Sequence, residues 1–197
     1  MNYNLYQEKQ ATAQRVAKYL SVDDKFAEQL NIAPGMPVPL IPTTHYVTAK
    51  ITGTAIKFVE SSKNKVIGVQ SFDGNKLDAN KPFIICGITG MYAKEAQGDK
   101  KTVQTANYNK AAPASLLNGE LKLKQNNRGV VAEIITNHLF NVNTTNHNLD
   151  KEFPLADMPL VKDKSPFEIE VEIPEVLATG TDHFVKLELR GYTILAS

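Results

Sequence analysis

Two stretches near the end of the chain restrict its fold more than any other feature. Phe167, Ile169, Val171 and Ile173 alternate with Glu168, Glu170 and Glu172. Val185, Leu187 and Leu189 alternate with Lys186, Glu188 and Arg190. Successive side chains of a strand point to opposite faces, so a period of two puts every apolar group on one side and every charge on the other. A helix with either pattern would scatter its apolar groups around its circumference. Both stretches are therefore expected to be strands of a sheet with one wet face. Their charges are of mostly opposite sign, which suggests that they pair antiparallel around the Pro174 to Asp182 connection.

The same reading extends upstream. Val47, Ala49 and Ile51 alternate with Tyr46, Thr48 and Lys50, and runs from Thr54 to Val59 and from Lys65 to Val69 follow. Asp73-Gly74 and Asn118-Gly119 are turn dipeptides. Phe83 to Cys86 is short and continuously apolar, as in a strand buried on both faces. Leu121 and Leu123 alternate with Lys122 and Lys124, and Val130 to Ile135 reads as a strand or a short helix. Long polar loops are expected over Met91 to Ala114 and Phe140 to Lys164. Eight to ten short strands without a crossover helix imply a mainly β protein, an antiparallel β-sandwich or barrel.

The N-terminus departs from this pattern. Residues 1–33 lack Pro and Gly, and Leu5, Ala13, Val16, Ala17 and Leu20 approximate a helical stripe. Ser21 with Asp23 and Asp24 resembles a helix restart, and Val22, Phe26 and Leu30 prolong the apolar face. Pro34-Gly35 ends it. Residues 34–42, PGMPVPLIP, hold four prolines and read as a stiff connector or an edge strand. Three parts result: a helical arm (1–33), a proline-rich connector (34–42) and a β body (43–197). Leu5, Val16, Leu20, Phe26 and Leu30 are the arm's candidate contact residues, facing its own body, a neighbouring subunit or a membrane surface.

Charge and motifs exclude more than they assign. The formal net charge is +1, and the arm's cations are matched by its acids, so bulk attraction to nucleic acid is not expected. The first residues lack a signal-peptide core and no stretch approaches a membrane span, so a soluble protein made in a cytoplasm is expected. Asn143-Thr144-Thr145 is a lone glycosylation sequon. His45, His138, His147 and His183 are dispersed without H-x-H or H-E-x-x-H spacing, so no metal or cofactor is expected. The one cysteine, Cys86, lies in an apolar strand and reads as packing rather than as a nucleophile. No G-x-S-x-G, P-loop or dinucleotide fingerprint occurs, and Glu168, Glu170 and Glu172 read as a solvated face or a subunit contact rather than a glycosidase pair. No catalytic residue is assigned and an enzyme is not expected. Tyr46, Tyr92, Tyr108 and Tyr192 could line a sugar site, but there is no Trp to form a platform. Gln125 to Arg128 and Asn141 to Asn148 offer amides suited to turns or interfaces.

A short arm, a proline-rich joint and a β body with long loops make a recognisable combination. The segments PGMPVPLIPTTHYVTAKITG, LLNGELKLKQNNRGVVAEI and PFEIEVEIPEVLATGTDHFVKLELRGYTILAS carry it. In this organisation the chain resembles the jelly-roll capsid proteins of tailless bacteriophages. The resemblance implies a jelly-roll body, self-association, other capsid proteins as partners, an arm that reaches either a neighbouring subunit or an internal membrane, and location in a virion assembled in the host cytoplasm. It implies neither sequence-specific nucleic-acid binding nor a small-molecule substrate. A body of this length suits one jelly roll better than two stacked ones, as in a vertex or small coat protein. The competing reading is a β-sandwich module that binds carbohydrate or peptide.

Overall fold

The computed structural model of the chain describes residues 39–125, 129–140, 152–155 and 158–195, together with Ala11 and Gln14. The arm's candidate contacts Leu5, Val16, Leu20, Phe26 and Leu30, the sequon, His147 and the Asn141 to Asn148 segment lie outside the described residues.

The described residues form nine strands: β1 (Leu40–Lys50), β2 (Ala55–Lys57), β3 (Phe83–Ala96), β4 (Glu120–Gln125), β5 (Gly129–Ile135), β6 (Phe153–Pro154), β7 (Leu160–Val161), β8 (Phe167–Glu172) and β9 (Thr181–Ile194). Two one-turn helices, α1 (Ala114–Leu117) and α2 (Asn137–Phe140), flank β4 and β5. One sheet runs β1-β9-β3-β6, with β7 also on the free side of β3, and the other runs β2-β8-β4-β5. Every pairing of strands is antiparallel. If β6 and β7 are taken as one interrupted strand, the chain crosses between two four-stranded sheets at every step except β4 to β5, the order of a double Greek key. The fold is therefore a β-sandwich of jelly-roll topology.

Alternation explains the layer between the sheets. Val47 and Ala49 from β1, Ile88 and Tyr92 from β3, and Val185, Leu187 and Leu189 from β9 face Leu121 and Leu123 from β4 and Ile169 and Val171 from β8. Phe58, Phe72, Phe83 and Phe167 fill the same space. Each such side chain contributes roughly 1.5–3 kcal/mol on leaving water.

Strand identity follows the sequence pattern, but partnership does not. β8 and β9 do not form a hairpin: β8 lies between β2 and β4, and β9 lies between β1 and β3. Their apolar faces meet across the sandwich instead of lying side by side. A period of two fixes which face is dry, and both arrangements dry the same face. The expected run at Lys65 to Val69 is not a strand. It belongs to a turn-rich segment touching β1 by an isolated bridge, Val47 to Gln70. Buried Gln70 holds that segment by donating its amide to the carbonyls of Lys63, Phe72 and Gly74. β1 includes Leu40, Ile41 and Pro42, the end of the segment read as a stiff connector or an edge strand. An edge strand tolerates the missing N–H of Pro42. The expected Met91 to Ala114 loop yields its first six residues to β3, and the expected Phe140 to Lys164 loop contains β6 and β7.

Candidate functional site

The outward face of the four-stranded sheet is a ladder of ion pairs. Lys122 lies 2.8 Å from Glu172, 3.4 Å from Glu120 and 3.9 Å from Glu133. Lys124 lies 3.5 Å from Glu170. The cross-strand register makes this arrangement, since Lys122 sits opposite both Glu170 and Glu133. Its hydrogen bonds to Glu172 and Glu120 raise the Lys122 pKa, and Lys122 lowers that of Glu172. The Lys122 ammonium thus sits among carboxylates from its own strand and from both neighbouring strands.

The outward face of the five-stranded sheet is different. Register places Ile84, Tyr192 and Leu160 side by side at one end and Ala93 beside Phe184 at the other. All five are buried. Between them runs a charged waist, with Lys186 2.7 Å from Glu188 and Arg190 3.5 Å from Glu188 and 3.6 Å from Glu152. Lys186 also lies over the Tyr46 ring, 5.4 Å from its centroid.

A β-bulge in β3 gives this face its local shape. The register shifts between Ile85 and Gly87, which leaves Cys86 as the extra residue. The Glu152 side chain fills the place that a Cβ on Gly87 would take. Burial, with the Glu152 charge second, pushes the Cys86 thiol up to about 11, the opposite of what a nucleophile needs.

Three described histidines lie in three separate settings. His45 sits at the rim of the interior, edge-on to Phe72 and Phe83. Its Nδ1 is 3.0 Å from the Ser71 hydroxyl, which also accepts the Tyr46 N–H. Burial lowers the His45 pKa to about 4, against a smaller opposing pull from Asp78. His183 bridges Tyr92 Oη at 2.6 Å and the Ala178 carbonyl at 3.1 Å. The carbonyl can only accept, so His183 Nε2 carries a proton, and the ring ties β3 to the turn before β9. His138 is exposed on α2 and stacks on Phe153 with centroids 4.9 Å apart. Among the described residues, no three His, Cys, Asp or Glu side chains gather in a way that could hold a metal. No described helix is long and apolar enough to cross a membrane.

The four described tyrosines are each engaged within the fold. Tyr92 and Tyr192 are buried, and burial pushes Tyr92 up to about 12. Tyr108 donates to the Val103 carbonyl, and Tyr46 accepts the Gly68 N–H. Gln125 is buried and exchanges two bonds with the backbone of Lys162, pinning the end of β4 rather than presenting an amide outward.

Sequence reading did not foresee the exposed apolar tips. Ile67 is 86% exposed, Val176 63% and Ile135 56%. Ile67 is held rigidly, because its carbonyl accepts from Gln104 and the next N–H donates to Tyr46 Oη. Only a wet position in an otherwise apolar run signals such a tip, and Val66-Ile67 reads like a strand interior. Compared with known proteins, the chain matches no family model, no curated sequence and no solved structure. Its function is therefore argued from topology and surface alone.

Proposed function

We propose that the protein is a structural subunit of a viral shell, a self-associating jelly roll that contacts its neighbours and other capsid proteins through its loops and outward faces. The observation that supports this reading best is the strand order. A double Greek key of this size is an architecture shared by viral capsid domains, lectins and cupins. The interior bears on the choice. In this chain phenylalanines and aliphatic side chains fill the inter-sheet space that a cupin uses for its metal. The outward face available for a sugar carries Lys122 and five glutamates' worth of ladder and flank rather than an aromatic platform. The isolated tips Ile67, Val176 and Ile135 suit small, repeated contacts, which give closed assemblies when the rotation between copies closes. This reading assigns no catalytic residue and places the protein in virions of the tailless-bacteriophage kind that its sequence resembles.

The test is light scattering on the size-exclusion peak from micromolar to millimolar protein, followed by negative-stain microscopy. Rings, pentamers or shell fragments that grow with concentration are expected. A monomer across the whole range that binds a glycan or a peptide would overturn the proposal in favour of a binding module.

A further inference from the structure

Two of the exposed apolar tips stand on opposite edges of the sandwich. β1 lies against β2 at one edge, and β5 ends the β2-β8-β4-β5 sheet, so β5 marks the other edge. Three strand spacings of about 4.8 Å each separate β2 from β5. The tip on the β1 edge is Lys65-Val66-Ile67, with Lys65 exposed beside Val66 at 43% and Ile67 at 86%. It is fixed from several directions. The Lys65 N–H donates to Asp73 Oδ1 at 2.6 Å, and the Val69 and Gln70 N–H groups donate to the Val66 carbonyl at 2.9 and 3.1 Å. The Gly68 N–H donates to Tyr46 Oη at 3.0 Å, and Gln104 donates to the Ile67 carbonyl at 2.8 Å. Gly68 turns the tip with a φ of 81°, which a side chain would resist. Apolar groups held out in water by so many bonds lose little freedom when they bind.

The site on the β5 edge is a row. Register sets Ala55, Glu172, Glu120 and Ile135 in one line across the outward face of the four-stranded sheet. Ile135 is 56% exposed, and the Glu120 and Glu172 side chains 53% and 51%. Glu120 and Glu172 stand directly opposite each other, a pairing of like charges that costs stability. The network that relieves them has one ammonium, Lys122, for three carboxylates, Glu120, Glu133 and Glu172. Negative charge is therefore in excess beside an isoleucine that is already in water.

The two sites are complementary in sign and alike in shape. One offers a cation next to an exposed aliphatic pair, and the other offers carboxylates in excess next to an exposed isoleucine. Neither suits its own copy. Tip against tip would bring two Lys65 ammonium groups together, and row against row would face glutamate with glutamate. A two-fold contact of either site is thus disfavoured, and a contact between unlike edges is favoured.

We infer, resting on the shell proposal, that the Lys65–Ile67 tip of one copy docks head to tail on Ile135 and the Glu120–Glu172 row of a second copy. Each copy then gives its β1 edge to one neighbour and its β5 edge to another, which makes a ring where the rotation closes and an open chain where it does not. A single tip buries far less than the roughly 1,200 Å² of a stable interface. Isolated pairs therefore exchange, and the contact persists where a closed ring holds every copy twice.

The experiment is sedimentation velocity over a concentration series of the full chain in three forms. These are the wild type, a tip variant carrying Lys65→Glu and Ile67→Asp, and an edge variant carrying Ile135→Lys, each checked for folding by circular dichroism. The wild type is expected to form species that grow with concentration. Each variant alone should need at least about tenfold more protein to associate. An equal mixture of the two should form a one-to-one dimer and stop there, because the edge variant keeps its tip and the tip variant keeps its row. Variants that assemble like the wild type, or a mixture no more associated than its components, would overturn this contact and leave the shell proposal standing. A wild type that stays monomeric to millimolar protein would overturn both. Should Ile135→Lys fail to fold, Ile135→Thr, β-branched and suited to a strand, takes its place.

Discussion

Lowering the pH from 7 to 4 should destabilise the protein through His45, and the amount can be worked from its surroundings. In the fold the ring sits between Phe72 and Phe83 with a pKa of about 4, while in the unfolded chain it has the ordinary value of 6.5. The lowered value means that the unfolded chain takes up a proton first as the pH falls. Above 6.5 both states are neutral at this position and nothing is lost. Between 6.5 and 4 the unfolded state gains, by about 2 kcal/mol at pH 5 and about 3 kcal/mol at pH 4. Below 4 both states are protonated and the loss levels off. The assay is urea denaturation followed by circular dichroism, at half-unit steps of pH, for the wild type and for His45→Gln. Glutamine keeps an acceptor for the Ser71 hydroxyl and cannot take a proton. The variant should start less stable at pH 7, because it packs less well against the two rings, and the gap should narrow by about 2 kcal/mol at pH 5. Two curves that run parallel from pH 7 to pH 4 would refute the assignment of this acid sensitivity to His45.

Three further outcomes follow from the geometry. Lys122→Met should lower stability by leaving Glu120, Glu133 and Glu172 to repel one another, and the loss should shrink in 1 M salt, as thermal melts at two ionic strengths would show. Gly191→Ala should cost about 3 kcal/mol or more in urea denaturation, because the new Cβ would overlap the Ile84 carbonyl and push β9 away from β3. Ile67→Lys and Val176→Lys should change the melting free energy by no more than about 0.5 kcal/mol, since both side chains are wet already, while reducing assembly by light scattering.

The sequence spoke clearly wherever one physical constraint acted alone. Alternation at Phe167 to Ile173 and at Val185 to Arg190 marked strands and their dry faces, because burial of one face requires that pattern. The short run at Phe83 to Cys86 marked a strand buried on both faces, and Ile84 and Ile85 are indeed fully buried on opposite faces. Pairing was hidden because it depends on which strands share a sheet, and β8 and β9 satisfy their pattern equally well from opposite layers. Val66-Ile67 misled because a loop tip held from outside by Gln104 and Tyr46 can keep apolar residues in water. His45 and His183 were visible only as dispersed histidines, because their partners Ser71, Tyr92 and Ala178 are brought to them by the fold.

The central position of β9 also orders events in time. β1 and β3 are neighbours in the sheet only through β9, and Thr43 meets Thr193 across 150 positions of sequence. On a ribosome, β1 would emerge long before the strand that gives it a partner. Until β9 is made, the facing edges of β1 and β3 have no backbone to pair with, and closing so long a loop carries an entropic cost before any contact rewards it. Folding of that sheet is thus expected to come late and all at once, with a window beforehand in which β1 is open to the wrong partner. In a crowded cell making many copies, that window is when a neighbouring chain's β9 could be accepted in place of the chain's own.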